Sequence, residues 1–384
     1  MKPTEPHPSM LTDRDVVRYR REFAIVPEYA YLNHASNAPE SRRVKEKILE
    51  HLRDCEYGDL REEQWHAFAE QTRKLLADLI QAEPEEITFV QSVTAAAALV
   101  AQALRLQPGD NIVTPVNQFP ANIHPWLNLQ NIGVETRLVK MPRDGSIEPL
   151  AEAIDKRTRL LSLCFVEYDD GWRHDLAAVG ELCRRRNVLF FVDGTQGVGA
   201  LRMNVRAVAA DFVAVNGVKW LMGPWGQGML YIRKELLPSL FTPTLGWLSV
   251  ENPTAFSDLR QPYKQSVHRF EGGCQNLLGI AGLGASVSML AEVGVPQIEE
   301  RVLWLTERAA SLVQEKGYEL VTRMTDGHRS GILSFRHRRV PARMVYEQLL
   351  EKKVVTSERN GLIRISPHFY NNAEDIDRLV EALP

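Results

Sequence analysis

The stretch ADFVAVNGVKWLMGP runs from Ala210 to Pro224. Its first half has a strand pattern, with β-branched and aromatic residues in a short apolar run. Its second half holds one cation, Lys219, among apolar and small residues, with Gly223 and Pro224 closing the segment. An isolated charge at the end of a buried strand costs several kcal/mol or more. Upstream, VLFFVDGTQGVGA (Val188–Ala200) repeats the arrangement with the opposite sign, an apolar strand ending in Asp193. A buried carboxylate there has to be paired, bound to a ligand, or protonated.

Working outward, the same unit recurs. EEITFVQS is a strand and VTAAAALVAQAL opens a helix directly after it. NIVTPV, TRLLSLCFVEY and GMLYIRKELL are further strands, with helical patterns in ANIHPWLNLQNI and DLAAVGELCRRRN. Apolar strands alternating with helices predict an α/β fold with a mostly parallel sheet covered on both faces. Residues 1–15 are polar and read as a loose arm. Residues 1–40 are expected to form an N-terminal segment packing on a smaller domain, and 41–265 a large domain. From about 266 the texture changes: a long helix, LGIAGLGASVSMLAEVG, leads into QIEERVLWLTERAASLVQEKG, and short strands (GILSFRH, LIRIS) and a final helix follow. Residues 266–384 therefore read as a small C-terminal α+β domain.

The chain has 384 residues, is 44% hydrophobic and has a net charge of −3. No strong field of either sign follows, so neither nucleic acid nor an anionic membrane is an expected partner. The run RHRR (Arg336–Arg339) reads as a solvated turn. No apolar run is long enough to span a bilayer, and MKPTEPHPSMLTDRD has no signal-peptide core. A cytoplasmic protein is expected. The cysteines Cys55, Cys164, Cys183 and Cys274 stand far apart without a CxxC pair, so no disulfide framework and no metal site is expected.

Open α/β sheets bind ligands outside the C-terminal ends of their strands. Lys219 and Asp193 both belong there, separated by room for one more strand. That pair suits pyridoxal 5'-phosphate, which needs an amine for a Schiff base and a carboxylate to keep its ring nitrogen protonated. A partly apolar site lowers the amine's pKa and makes it nucleophilic. SVTAA (Ser92–Ala96) stands at a strand-to-helix turn, where the free N–H groups of Val93 and Thr94 and the Thr94 hydroxyl suit a phosphate. Thr94 is also a good helix N-cap. Phe119, at another strand end, is placed to stack on a pyridine ring. Gln196 is placed to donate to the ring oxygen.

VDGTQGVG followed by NGVKWLMGPWGQG resembles the class V aminotransferase and cysteine desulfurase superfamily, pyridoxal phosphate enzymes of fold type I. The likeness runs from YLNHAS to IRISPHFYNNAEDIDRLVEAL, and in look it is nearest the branch with isopenicillin N epimerase. The resemblance implies a large domain on a seven-stranded sheet, a smaller C-terminal domain, and a homodimer with shared active sites. It implies Lys219 as Schiff-base lysine and catalytic base, Asp193 at the ring nitrogen, Gln196 at the ring oxygen and Thr94 at the phosphate. Phe119 falls where the family stacks a ring. RFEGGCQN (Arg269–Asn276) resembles the segment that reaches the neighbouring subunit's phosphate, with Cys274 in the position nearest it. IRIS resembles the segment whose arginine, here Arg364, grips the substrate carboxylate, a task suited to a bidentate fork.

Some positions depart from the desulfurase pattern. Asn216 and Val218 stand where desulfurases carry a serine and a histidine before the lysine, and Cys274 where threonine is usual. The stretch VVTSERNGLIRIS carries no cysteine, whereas a desulfurase holds its persulfide-forming cysteine on a loop there. The expected activity is that of a pyridoxal phosphate enzyme acting on an amino acid as aminotransferase, epimerase or C–S/β-lyase. A persulfide-type desulfurase and a catalytically inactive binding or regulatory protein are the alternatives. A nucleotide-dependent oxidoreductase is excluded because GTQGVGA lacks the complete glycine fingerprint. Asn33, His34, Trp126 and TLGWLS (Thr244–Ser249) are the expected substrate-side residues, with Tyr168 and Asp169 beside them.

Overall fold

The computed structural model describes residues 11–384. Residues 1–10, the greater part of the expected loose arm, lie outside the described residues. Within residues 11–15, Thr12 caps α1 (Asp13–Arg20) through a reciprocal capping box with Asp15. After β1 (Ala30–Tyr31) come α2 (Arg42–Cys55), capped by Ser41, and α3 (Glu62–Ile80).

The alternating part of the chain then follows in order: β2 (Ile87–Val90), α4 (Val93–Ala103), β3 (Asn111–Pro115), α5 (His124–Leu127), β4 (Glu135–Val139), α6 (Glu148–Ala153), β5 (Thr158–Cys164), α7 (Leu176–Arg186), β6 (Leu189–Asp193), β7 (Phe212–Asn216) and β8 (Gly228–Ile232). These strands form one seven-stranded sheet in the order β2-β8-β7-β6-β5-β3-β4. All pairings among β7, β6, β5, β3 and β4 are parallel; β8 alone runs the other way, antiparallel to both β2 and β7. The two-residue period of a strand sends alternate side chains to opposite faces. Phe190, Val192, Val213 and Val215 enter one hydrophobic cluster, while Phe191, Phe212 and Ala214 enter another. The sheet is buried on both sides, as continuous apolar strands require.

The apolar stretch after residue 276 is broken in two. α8 (Leu277–Val293) and α9 (Val295–Glu315) meet at an angle of 82°, at Gly294, whose φ of +89° suits glycine. α8 packs on α2 and α3 and shares the sheet's core through Leu283, Val287 and Leu290. A boundary at 266 therefore separates α8 from the layer that buries it. α9 contributes Val302 to that core and Leu305 and Ala309 to a third cluster. This third cluster lies among β9 (Glu319–Leu320), β10 (Leu333–Arg336), α10 (Ala342–Glu351), β11 (Val354–Val355), β12 (Ser357–Arg359), β13 (Leu362–Ile365) and α11 (Ala373–Ala382). β1 pairs in parallel with β11, so the N-terminal segment is stitched to this C-terminal layer. Among the described residues no single helix is long and apolar enough to cross a membrane.

One buried ion pair fastens the layers beside the sheet edge. Arg73 of α3 has no exposed side-chain surface and meets Glu271 at 2.8 Å. Glu271 also accepts the Phe89 N–H and the Thr88 hydroxyl of β2. Removing one partner leaves the other charge buried and uncompensated. Glu271→Ala is therefore expected to lower stability by about 3 kcal/mol, the low end of the buried-pair range because Glu70 still contacts Arg73. A denaturant midpoint unchanged from wild type would contradict this.

Candidate active site

Five strand-end segments converge on one cavity of about 200 Å³ at the C-terminal edge of the parallel strands. Its walls include Val93 and Thr94 after β2, Phe119 after β3, Cys164 and Tyr168 after β5, Asp193 to Gln196 after β6, and Asn216 and Lys219 after β7. A crossover sheet offers a ligand this edge because the loops there diverge.

Asp193 ends β6 and is buried, and its carboxylate accepts the Thr195 N–H at 3.0 Å. Burial pushes its pKa up, opposed by the Thr195 hydrogen bonds and the charge of Lys219. Lys219 sits just beyond β7 and forms no ion pair with a carboxylate among the described residues. Burial drives its amine down from 10.5 to about 8, against the pull of Asp193 and with the push of Arg364 and Arg359. Its Nζ lies 5.1 Å from the Phe119 ring centre. The loop carrying it is tightly built. Gly217 donates to the Gln227 carbonyl at 2.9 Å, and a Cβ on Gly217 would come within 2.4 Å of that oxygen. Met222, which donates to the Lys219 carbonyl, holds a positive φ of 52°, a strained conformation for a side chain of that size.

The phosphate-like end of the cavity differs from expectation in one detail. Ser92, not Thr94, caps α4, its hydroxyl accepting the Ala95 N–H at 3.2 Å. Thr94 is exposed at the first turn and lines the cavity with Ser92 and Val93, and its hydroxyl has no capping task. Asn216 Oδ1 is buried and meets no protein donor. Phe119 is partly exposed and meets Tyr168 edge-on at 5.3 Å. Gln196 lines the cavity, but its amide is tied to the scaffold: Nε2 donates to the Ala35 carbonyl at 3.0 Å and Oε1 accepts the Trp220 indole at 2.9 Å. One amide hydrogen remains for a ligand.

Several expected substrate residues lie elsewhere. His34 is fully buried, with Nδ1 2.9 Å from the Ser366 carbonyl and Nε2 2.9 Å from the Tyr370 hydroxyl. Burial first, then His368, holds its pKa well below the ordinary value, so it is a neutral structural ring and not a cavity wall. Asn33 forms a bridge with Ser366 and stays outside the cavity. Trp126 is a core residue, its indole donating to Ser162 at 3.1 Å. Cys274 is exposed and does not line this cavity. Trp247, in the TLGWLS segment, is half-exposed and outside the cavity as well. Arg364 is not itself a wall of the cavity but adjoins one, holding the carbonyl of Tyr168, and it donates to Ser357 Oγ and to Ser36 Oγ at 2.7 Å.

The residue pattern gave no notice of Cys164, Thr195 or Ser36. Thr195 lies between Asp193 and Gln196, so its position was readable from theirs. Ser36 reaches Arg364 only through a contact between chain segments 328 residues apart. Cys164 belongs to a buried group with Glu167 and His174 whose ligating atoms lie within 4.8 Å of one another. Its thiol is pushed far above the ordinary value by burial, then by Glu167 and Asp193, so it stays protonated. The Gln118 amide donates to both Cys164 Sγ (3.3 Å) and Glu167 Oε1 (3.2 Å), which occupies the group with hydrogen bonds of its own.

This frame of fold and site belongs to a defined class. The chain is a member of the class-V aminotransferase family, pyridoxal-phosphate-dependent enzymes, whose model matches residues 30–379. It is 30% identical to a cysteine desulfurase of Yersinia pseudotuberculosis serotype O:1b, over 96% of this chain and 97% of the relative. It is 28% identical to a probable cysteine desulfurase of Methanothermobacter thermautotrophicus, over 95% of this chain and 96% of the relative. The crystal structure of a cysteine desulfurase from Escherichia coli, in an S-sulfonic acid form, superposes with a TM-score of 0.84 at 26% identity, covering 96% of this chain and 97% of that one.

The electrostatics give a pH expectation for the cofactor-free protein. Below about 8 the Lys219 amine is protonated and inert; above it the amine is neutral and reacts with an electrophile. Labelling of Lys219, followed by peptide mass spectrometry against pH, is expected to show a midpoint near 8. Asp193→Asn removes the charge that favours the protonated amine, so the midpoint moves down. An upward movement contradicts the assigned balance.

Proposed function

We propose that the chain binds pyridoxal 5'-phosphate in the cavity at Lys219 and removes the α-proton of an amino acid. The observation that carries this reading is a partly buried lysine, depressed to about 8 and without an ion-paired carboxylate, sharing one cavity with a buried acid from the adjacent strand. The cavity's chemistry fits the cofactor. The first turn of α4 lines one end, and a carboxylate and an aromatic ring line the rest.

When bound, pyridoxal phosphate supplies an aldehyde to an amine and a cationic ring that withdraws electrons from the substrate Cα. Asp193 keeps a proton at the ring nitrogen, which offsets the burial of its own charge. The leading N–H groups of α4, with the Thr94 hydroxyl, hold the phosphate. Phe119, a wall of the cavity, would stack on the cofactor's ring. The remaining Gln196 amide hydrogen meets the ring oxygen. Lys219, neutral above about pH 8, is the base that takes the Cα proton. Arg364 binds the substrate carboxylate with the N–H groups its three internal hydrogen bonds leave free.

Desulfurase relatives support cleavage at a β-substituent among the reactions that begin with this proton. A sulfur carried on the enzyme's own loop is disfavoured. The segment before Arg364 is the tight β12–β13 hairpin, turning at Asn360 and Gly361, with no cysteine in it. The exposed Cys274 segment supports a second copy completing the site, and a homodimer is part of this proposal.

Borohydride treatment of the reconstituted protein is expected to fix the cofactor's mass on the peptide containing Lys219, and Lys219→Ala to lose it. Label found on another lysine sinks the reading. Arg364→Gln is expected to raise KM for amino acids roughly tenfold to a hundredfold, the loss of a charge-assisted pair, with product identification by mass spectrometry giving the reaction type.

A further inference from the structure

We propose that Arg359 makes this site selective for amino acids whose side chain carries a second acidic group. The proposal rests on the reading of Arg364 as the α-carboxylate anchor.

The placement comes from strand register. Ser357 faces Arg364 across the β12–β13 hairpin, and Arg359 pairs with Leu362. Residues two apart on a strand share a face. Ser357, Arg359 and Arg364 therefore stand on one side of the hairpin. Asn360 (φ 51°) and Gly361 (φ 77°) form its two-residue turn, a conformation that holds the strands in fixed register. Both guanidinium groups reach the same hydroxyl: Arg364 donates to Ser36 Oγ at 2.7 Å and Arg359 at 3.4 Å.

Neither cation has its counter-charge. Among the described residues neither forms an ion pair with a carboxylate. Arg364 is buried and bonded only to neutral oxygens, those of Ser357, Tyr168 and Ser36. Asp169 favours its charge from a distance, without a hydrogen bond between them. Burial, then the nearness of Arg359, brings Arg364 down to about 10. Arg359 is exposed and has only two long contacts, to Ser36 Oγ and to its neighbour's carbonyl, each at 3.4 Å. Two like charges on one hydroxyl repel each other.

One α-carboxylate satisfies the free fork of Arg364, because a guanidinium has five donors and three are already engaged. It leaves Arg359 uncompensated. Arg364 holds the carbonyl of Tyr168, a wall of the Lys219 cavity, so the arginine pair adjoins that cavity, and both charges bear on Lys219. A substrate with a second anion at the end of its side chain answers both cations at once. A neutral amino acid of the same shape answers one.

The test uses the holoenzyme and two matched pairs, glutamate against glutamine and aspartate against asparagine. Apparent Kd is read from the change in visible absorbance of the bound cofactor. The expected result for wild type is a preference for the acidic member of at least one pair by about twofold to fivefold, an ion pair at an exposed position, shrinking as salt is added. Arg359→Gln is expected to bring that ratio close to one, and Arg359→Lys to keep most of it. A ratio near one in wild type overturns the proposal. So does an Arg359→Gln variant that weakens acidic and neutral members equally, since Arg359 would then be a second clamp on the α-carboxylate or a structural residue. If no amino acid alters the absorbance, the underlying reading of the site fails, a result distinct from binding without charge preference.

Discussion

The structure turns on holding an amine and a carboxylate at neighbouring ends of a buried sheet. Asp193 and Lys219 close adjacent parallel strands, and each is moved by burial toward its neutral form. Their mutual attraction opposes this without closing into a salt bridge. A closed pair would be a stable structural feature but a poor reagent, because the amine would stay protonated. Leaving a cavity between them keeps the lysine near the pH at which it is both available and basic.

Keeping such a pair in place requires rigidity nearby. The amide of Gln196 links the turn after β6 to the indole beside Lys219 and to the carbonyl of Ala35. His368 holds the Trp220 carbonyl at 3.0 Å, and His34 ties the N-terminal segment to Ser366 and Tyr370. These histidines are neutral because burial lowers their pKa, so the scaffold does not change charge across the range in which Lys219 titrates. The N-terminal segment is therefore a wall support: Ala35 and Ser36 carry it to Gln196 and Arg364.

Much of the fold was readable from the chain because parallel strands buried on both faces must be continuously apolar, and their ends are where polar residues stand out. The lysine, the acid and the SVTAA turn were legible for that reason. The angle at Gly294 was not, since two helical stretches adjoin there in the sequence and only φ and packing reveal the 82° turn between them. His34 and Trp126 stood among the expected substrate-side residues, yet both are buried in the scaffold. Their partners, Ser366, Tyr370 and Ser162, are remote in sequence.

The sequence by itself determined the sheet, the strand-end chemistry and the family, because these depend on local pattern and on motif spacing. Tertiary structure alone decided which polar groups are left without partners. Satisfaction of a buried charge is a property of everything that surrounds it. That is why the free amine of Lys219, the orphaned amide oxygen of Asn216 and the two arginines at Ser36 became visible only when distant segments were brought together.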